Sequence, residues 1–185
     1  MAEPHLWARA LQPEFSEDFL KFHDRADCGG CWCMYWHFQG TNEEWGRADK
    51  AKLREQKCDR IALQGDTGML LYEDQTPIGW CQFGLRKNFP KLVEKLKPPP
   101  GPDDLWCINC FLMASEKRRQ GHARVLLAIS LEHLKRMGVK EVEAYPKAGA
   151  HEDGEVWMGP ERLFLDAGFT AVEAAAGARI VRKAL

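Results

Sequence analysis

Between residues 105 and 145 the chain spells out a strand, a basic glycine turn, a long apolar helix and a second strand, and no other feature limits the fold as tightly. Residues 105–113 are apolar and free of proline, the composition of a strand buried on both faces. Residues 121–137 place Val125, Leu126, Leu127, Ile129, Leu131 and Leu134 over a broad helical face and stop at Gly138, where a left-handed residue closes a helix. Residues 139–145 are again strand-like. Strand, helix and strand at this spacing form a βαβ unit, whose strands are parallel and whose crossover is right-handed. Parallel strands need helices over their faces, so the class is α/β (α+β).

The flanking sequence fits around that unit. A strand over 6–11 closes at Pro13, Ser16 caps a helix running to 24, and the charged stretch 43–57 reads as one exposed amphipathic helix. Residues 69–72 and 78–85 form a hairpin around a polar turn. A helix over 88–97 is ended by Pro98, Pro99, Pro100 and Gly101. Gly168 ends a last helix over 160–167, and strands follow at 169–172 and 179–182. The expectation is a mixed central sheet of about six or seven strands flanked by helices, in one domain spanning 1–185. Lys and Arg total 26 against 27 Asp and Glu, a net charge of -1 that gives no global attraction to nucleic acid or an anionic membrane. No signal-peptide pattern and no run of about 18 apolar residues is present, which predicts a soluble, cytoplasmic protein. Seven cysteines, an odd number, read as reduced thiols.

The turn ASEKRRQGHAR, residues 114–124, poses an electrostatic problem, because a helix start repels the cations Arg118, Arg119 and Arg124. A strand entering a glycine turn and then a helix gathers unpaired backbone N–H groups that bind phosphate, and a bound anion reverses the cost of those cations. A basic surface turn opening an ordinary helix is the alternative. Neither the three-glycine dinucleotide fingerprint nor the G-x-x-x-x-G-K-[ST] loop is present.

R-x-x-G-x-A at Arg118, Gly121 and Ala123 resembles the [QR]-x-x-G-x-[GA] signature of the GNAT acyltransferase superfamily, in the same strand-to-helix setting. ERLFLDAGF is similar to that family's late LYEKLGF segment, TPIGWCQF to its G-x-x-V-G hairpin, and CWCMYW to a segment of a bacterial branch. The resemblance implies the GNAT acyl-CoA N-acyltransferase fold, with its parallel central strands splayed apart at a bulge. It also implies acetyl-CoA as co-substrate and direct attack by a primary amine in a ternary complex, the acceptor being a small molecule or a peptide. By the same resemblance the turn from Arg118 through Arg119, Gln120, Gly121, His122, Ala123 and Arg124 binds the pyrophosphate. The pantetheine arm pairs with Phe111, Leu112 and Met113, and an amide near Met113 faces the acyl oxygen. Phe164 stands where many members place the tyrosine that protonates the leaving thiolate. Tyr145, water or no dedicated acid are then the options for protonating the thiolate, and Glu143, on the strand after the helix, is the candidate base, with a solvated strand glutamate as the alternative.

Before the charged helix, GGCWCMYWHF reads as an aromatic wall of the acceptor cleft carrying Trp32, Tyr35, Trp36 and Phe38, with plain core packing as the alternative. His151, in the polar loop with Glu152, Asp153 and Glu155, is a candidate contact for a cationic amine, with an ordinary exposed loop as the alternative. Cys28-x-x-Cys31 and Cys107-x-x-Cys110 suggest a rival, a zinc-organised binding module. The pairs are too far apart for a ribbon, and strand alternation sends Cys107 and Cys110 to opposite faces, so no metal is expected. A sensor that binds acetyl-CoA without catalysis is the other rival, and both a monomer and a homodimer remain open.

Overall fold

The computed structural model describes residues 5–65, 67–147, 149, 156–172 and 179–185. Its strands are β1 (Leu6–Ala10), β2 (Gly68–Glu73), β3 (Thr76–Leu85), β4 (Trp106–Met113), β5 (Glu141–Ala144), β6 (Thr170–Val172) and β7 (Ile180–Ala184). They form one sheet in the order β1-β2-β3-β4-β5-β7-β6. Neighbours are antiparallel except β4 and β5, the parallel pair expected from the βαβ pattern. The helices are α1 (Ser16–His23), α2 (Asn42–Gly46), α3 (Lys50–Ala62), α4 (Pro90–Leu96), α5 (His122–Arg136) and α6 (Glu161–Asp166). No helix among the described residues is long and apolar enough to cross a membrane.

Period-two alternation sends Met69, Leu71, Cys81 and Phe83 to one face of the sheet, where Leu126, Leu127, Leu131 and Leu134 of α5 cover them. Burying each of these leucines contributes about 1.5–3 kcal/mol. Leu70, Tyr72 and Trp80 face the other way and pack on Phe19 and Phe22 of α1 and on Leu53 and Ile61 of α3.

Alternation fails twice: Leu71 pairs with Gly79 while Tyr72 pairs with Pro77, which leaves Ile78 extra on β3, and the second failure shapes the site. Gln82 pairs with Cys110 while Phe83 pairs with Ile108, so β4 carries one extra residue, Asn109, against β3. Ile108 and Phe111, three apart, both join the α5 face. The bulge also corrects the expectation for Cys107 and Cys110. Their partners Gly84 and Gln82 are two apart on β3, so both cysteines lie on the same face of the sheet.

The stretch expected as one helix over 43–57 is two. Thr41 and Glu44 form a capping box at the start of α2, and Asp49 accepts from the N–H groups of Ala51 and Lys52 at the start of α3. Two N-caps so close in sequence specify two helix starts. Lys57 is fully buried instead of solvated, its Nζ 4.8 Å from the Phe19 ring centroid. Ser16 makes no capping bond, since the preceding Phe15 occupies the cap position of α1.

Candidate active site

Gly121 caps α5 at φ +85°, a conformation that favours glycine, and an added Cβ would meet nothing within 4 Å. The backbone here faces open space. No partner among the described residues takes the N–H groups of Gln120, Gly121, His122 or Ala123, the orphan donors of a helix start. The expectation is corrected at Arg124, whose N–H is already bonded to Gly121 O at 2.9 Å. The side chains of Gln120 and His122 turn away, to the carbonyls of Glu116 (2.8 Å) and Lys117 (3.2 Å), and brace the turn without bordering the cleft.

A cavity of about 360 Å³ opens beside this turn. Phe111, Leu112, Met113, Arg118, Arg119, Gly121, Ala123 and Arg124, all singled out from the sequence, border it together. Lys117, Arg162, Trp157 and Leu163 border it too and escaped sequence reasoning. The cationic side chains are partly committed. Lys117 pairs with Glu73, Arg124 with Asp166 at 3.1 Å, and Arg118 Nε donates to Met113 O at 3.1 Å.

The cavity exists because β4 and β5 pair only from Trp106 to Ile108 with Val142 to Ala144, after which β5 ends and β4 runs on past the bulge. Two tryptophans cover part of the freed edge. Trp36 Nε1 donates to Asn109 O at 2.9 Å, and Phe111 N–H donates to Trp157 O at 2.8 Å. Leu112 faces β3, where it pairs with Trp80, so by strand alternation Met113 N–H and Phe111 C=O are the main-chain groups left on the open side. The pairing surface expected over 111–113 is thus narrower than the resemblance implies.

A second cavity of about 350 Å³ lies on the other side of Trp157 and shares Asp27, Leu112 and Trp157 with the first. Tyr35 and Trp36 border it, as the aromatic-wall reading expects, and Trp45 joins them. Their rings cluster, with Tyr35 4.8 Å from Trp36 and 5.3 Å from Trp45, and Trp36 5.4 Å from Trp157. Trp32 is a correction: it is buried in the core and its Nε1 donates to Asp24 at 2.9 Å. Both Trp32 and Cys33 are left-handed (φ +43° and +53°), so the coil is tightly folded back on itself here.

Four thiols, Cys28, Cys31, Cys33 and Cys110, also border this second cavity, with Cys33 Sγ 3.0 Å from Cys110 Sγ. Burial lifts Cys28 to about 12 and Cys33 well above the usual thiol range; the hydrogen bond with Cys33 and then burial lift Cys31. Burial also pushes Asp27 up, but the Ser115 N–H and Arg25 outweigh it and hold the carboxyl below its ordinary range. No cluster of three or more metal-ligating side chains suited to a metal ion occurs among the described residues.

The candidate acid and base lie elsewhere. Glu143 is fully buried; its Oε2 accepts from Arg182 Nε at 2.6 Å and its Oε1 from Arg86 at 3.3 Å and from the Tyr145 hydroxyl at 2.5 Å. Neither Glu143 nor Tyr145 borders either cavity. Burial, then Cys107 and Glu143, push the Tyr145 hydroxyl well above its usual range. The geometry gives the pair a clamping task, tying β5 to β7 and to the 3-10 turn after β3. Phe164 is likewise a core residue, edge-on to Phe111 and Phe169, and its neighbour Leu163 borders the cleft in its place. His151 and its acidic neighbours Glu152, Asp153 and Glu155 lie outside the described residues.

The model of the Acetyltransferase (GNAT) family matches residues 7–152. The chain belongs to this family. It is an acyltransferase by that membership, and its sheet is the family's. No curated protein matches it in sequence. Among solved structures the chain is similar to PaiA N-acetyltransferase from Thermoplasma acidophilum in complex with coenzyme A, at 15% identity and a TM-score of 0.58 over 98% of this chain and 99% of that one. It is also similar to aminoglycoside acetyltransferase AAC(6')-Ib in complex with coenzyme A, at 16% identity and 0.60 over 97% and 95%. A third is YncA from Salmonella typhimurium with acetyl-CoA, at 12% identity and 0.56 over 97% and 94%. At these identities the likenesses show the GNAT fold. Of the site residues missed, Gln82 left a legible trace as a lone amide in an apolar strand. Trp157 left none, because only the strand divergence, a long-range feature, brings it to β4.

Proposed function

We propose that this GNAT chain moves the acetyl group of acetyl-CoA to a primary amine by direct attack, both substrates being bound at once. The adjacency of the two cavities, which share Asp27, Leu112 and Trp157 as wall residues, carries this reading, since it puts a turn suited to an anion and an aromatic chamber on either side of one point on β4. The first cavity fits the co-substrate. It joins the open N–H groups of Gly121 and Ala123 and the cations Arg118, Arg119 and Arg124 to the free edge of β4, so one end suits a diphosphate and the other an amide-bearing arm. Bound there, the thioester supplies an activated acetyl group. Met113 N–H faces the same space and is placed to donate to a carbonyl oxygen.

The chain contributes positioning above all. Asp27, held low, is ionised near neutral pH, and Cys28, Cys31, Cys33 and Cys110, all raised, are thiols there. None of these five exchanges a proton near pH 7, so none of them is assigned as the base, and on this reading the amine binds in its neutral form. Holding it against the thioester then accounts for the rate. Glu143 and Tyr145 keep the β5 wall in place behind the site. The test is an amine screen reading thiol release from acetyl-CoA, with Gly121→Asp as the turn-blocked control. Turnover of at least one amine class that Gly121→Asp abolishes is expected; binding of acetyl-CoA without turnover on any amine would leave a sensor in its place.

A further inference from the structure

Gln82 sits on β3 opposite Cys110, beside the extra residue of the bulge, and it borders the aromatic cavity. It is fully buried, yet neither its Nε2 nor its Oε1 has a hydrogen-bond partner among the described residues. A buried amide left unpaired on both atoms costs free energy that a ligand group able to pair with it would recover. The carboxamide offers a donor and an acceptor side by side, the complement of another amide's C=O and N–H. The charges around the cavity point the same way. No Lys, Arg or His among the described residues borders it, and its one carboxylate, Asp27, is occupied by Arg25 and by the N–H of Ser115. The nearby cations stand behind the wall, Lys95 donating to the Tyr35 hydroxyl at 2.7 Å and the buried Lys57 acting on Cys31, Cys33 and Cys110. A ligand carboxylate would therefore meet no cation directly among the described residues, whereas an uncharged amide meets Gln82. The rings of Tyr35, Trp36, Trp45 and Trp157 supply flat apolar faces for the rest of the molecule.

We propose that Gln82 selects the acceptor. The cavity takes a primary amine that carries a neighbouring uncharged amide on an apolar, ring-bearing body, and it rejects the corresponding free carboxylate. An amino-acid amide and the N-terminus of a peptide share this chemistry. The inference rests on the acetyl-transfer reading above and goes beyond it by naming the acceptor class.

Three probes with the same ring and amine separate the possibilities: phenylalaninamide, phenylalanine and phenethylamine, each assayed by thiol release and corrected to its neutral-amine fraction. A dipeptide with N-terminal phenylalanine tests the peptide source. For the wild type, phenylalaninamide should exceed phenylalanine in kcat/KM. In Gln82→Leu the value for phenylalaninamide should fall on the order of tenfold to a hundredfold, while that for phenethylamine changes less than about threefold. Gln82→Leu removes an unpaired polar group from a buried site, so its thermal midpoint should be unchanged or higher, which shows that the variant is folded. Equal rates for phenylalaninamide and phenylalanine, or an equal loss for all probes in Gln82→Leu, would overturn the proposal and leave Gln82 a hydrated structural amide. Failure of every probe with acetyl-CoA still bound would also overturn it. Absence of acetyl-CoA binding would instead strike the transfer reading underneath.

Discussion

Replacing Glu143 by Gln separates a clamp from a catalyst. In the native protein both carboxylate oxygens accept charge-assisted hydrogen bonds, from Arg182 Nε at 2.6 Å and Arg86 at 3.3 Å, with the Tyr145 hydroxyl as a third donor. The glutamate is fully buried, and the side chains of Arg86 and Arg182 are only 13% and 17% exposed. Glutamine keeps one acceptor oxygen but turns an N–H₂ toward one of the guanidinium groups, and among the described residues it leaves Arg182 only the more distant Glu141, at 3.9 Å, as an anionic partner. Removing one partner from a buried ion pair costs about 3–5 kcal/mol, and the residual solvent contact of the arginines favours the lower end, about 3 kcal/mol. Against a total stability of about 5–15 kcal/mol this is large but survivable. Urea unfolding followed by tryptophan fluorescence should show the loss as a lower midpoint with an unchanged slope. Thiol release, measured well below the variant's transition, should stay within about threefold of wild type, because the residue borders neither cavity. A variant as stable as wild type with turnover down a hundredfold would refute this reasoning and restore Glu143 as the base.

Other expectations follow from the same structure. The pH profile of kcat/KM should rise along one limb that tracks the acceptor amine's own pKa, and an ascending limb near pH 7 that stays put when the amine is changed would reveal an enzymatic base. His23 is fully buried and its pKa is lowered to about 3, chiefly by desolvation, so the folded protein keeps the ring neutral while the unfolded chain protonates it below about 6.5. Its contribution is present above pH 6.5 and is lost as the pH falls toward 3, amounting to about 2 kcal/mol between pH 6.5 and 5. Urea midpoints across that range should fall less steeply in His23→Phe, and equal slopes would contradict the assignment. Because burial raises the thiols of Cys28, Cys33 and Cys81, alkylation of the native protein at pH 8 should spare them, with peptide mapping after a short pulse as the check. Rapid labelling of Cys33 would mean that the coil around it opens.

Sequence and structure agree where the signal is local. The six apolar residues of α5 recur at helical spacing, Gly138 ends the helix, and the Arg-rich glycine turn marks its start, so β4, α5 and β5 are all legible. The bulge at Asn109 is not, since one extra residue in an apolar strand changes neither composition nor periodicity enough to show. That single residue decides which face Cys110 occupies, and hence that Cys110 meets Cys33 at the edge of the aromatic cavity. Trp32 and Trp36 are alike in sequence, but only the left-handed turns at Trp32 and Cys33 send one to the core and the other to β4. Glu143 looked like a base because the partners that occupy it, Arg86 and Arg182, lie far along the chain in both directions.

The proposed transfer depends on the open N–H groups of Gly121 and Ala123 holding the diphosphate of acetyl-CoA. The check is isothermal titration of the purified chain with acetyl-CoA beside Gly121→Asp, whose added Cβ meets nothing within 4 Å, while the side chain strains the left-handed turn and sets a negative charge on it. One saturable equivalent per chain for wild type, weakened at least about tenfold in the variant, is the predicted result. Equal affinity in the two proteins, or no heat of binding in wild type, would contradict the account.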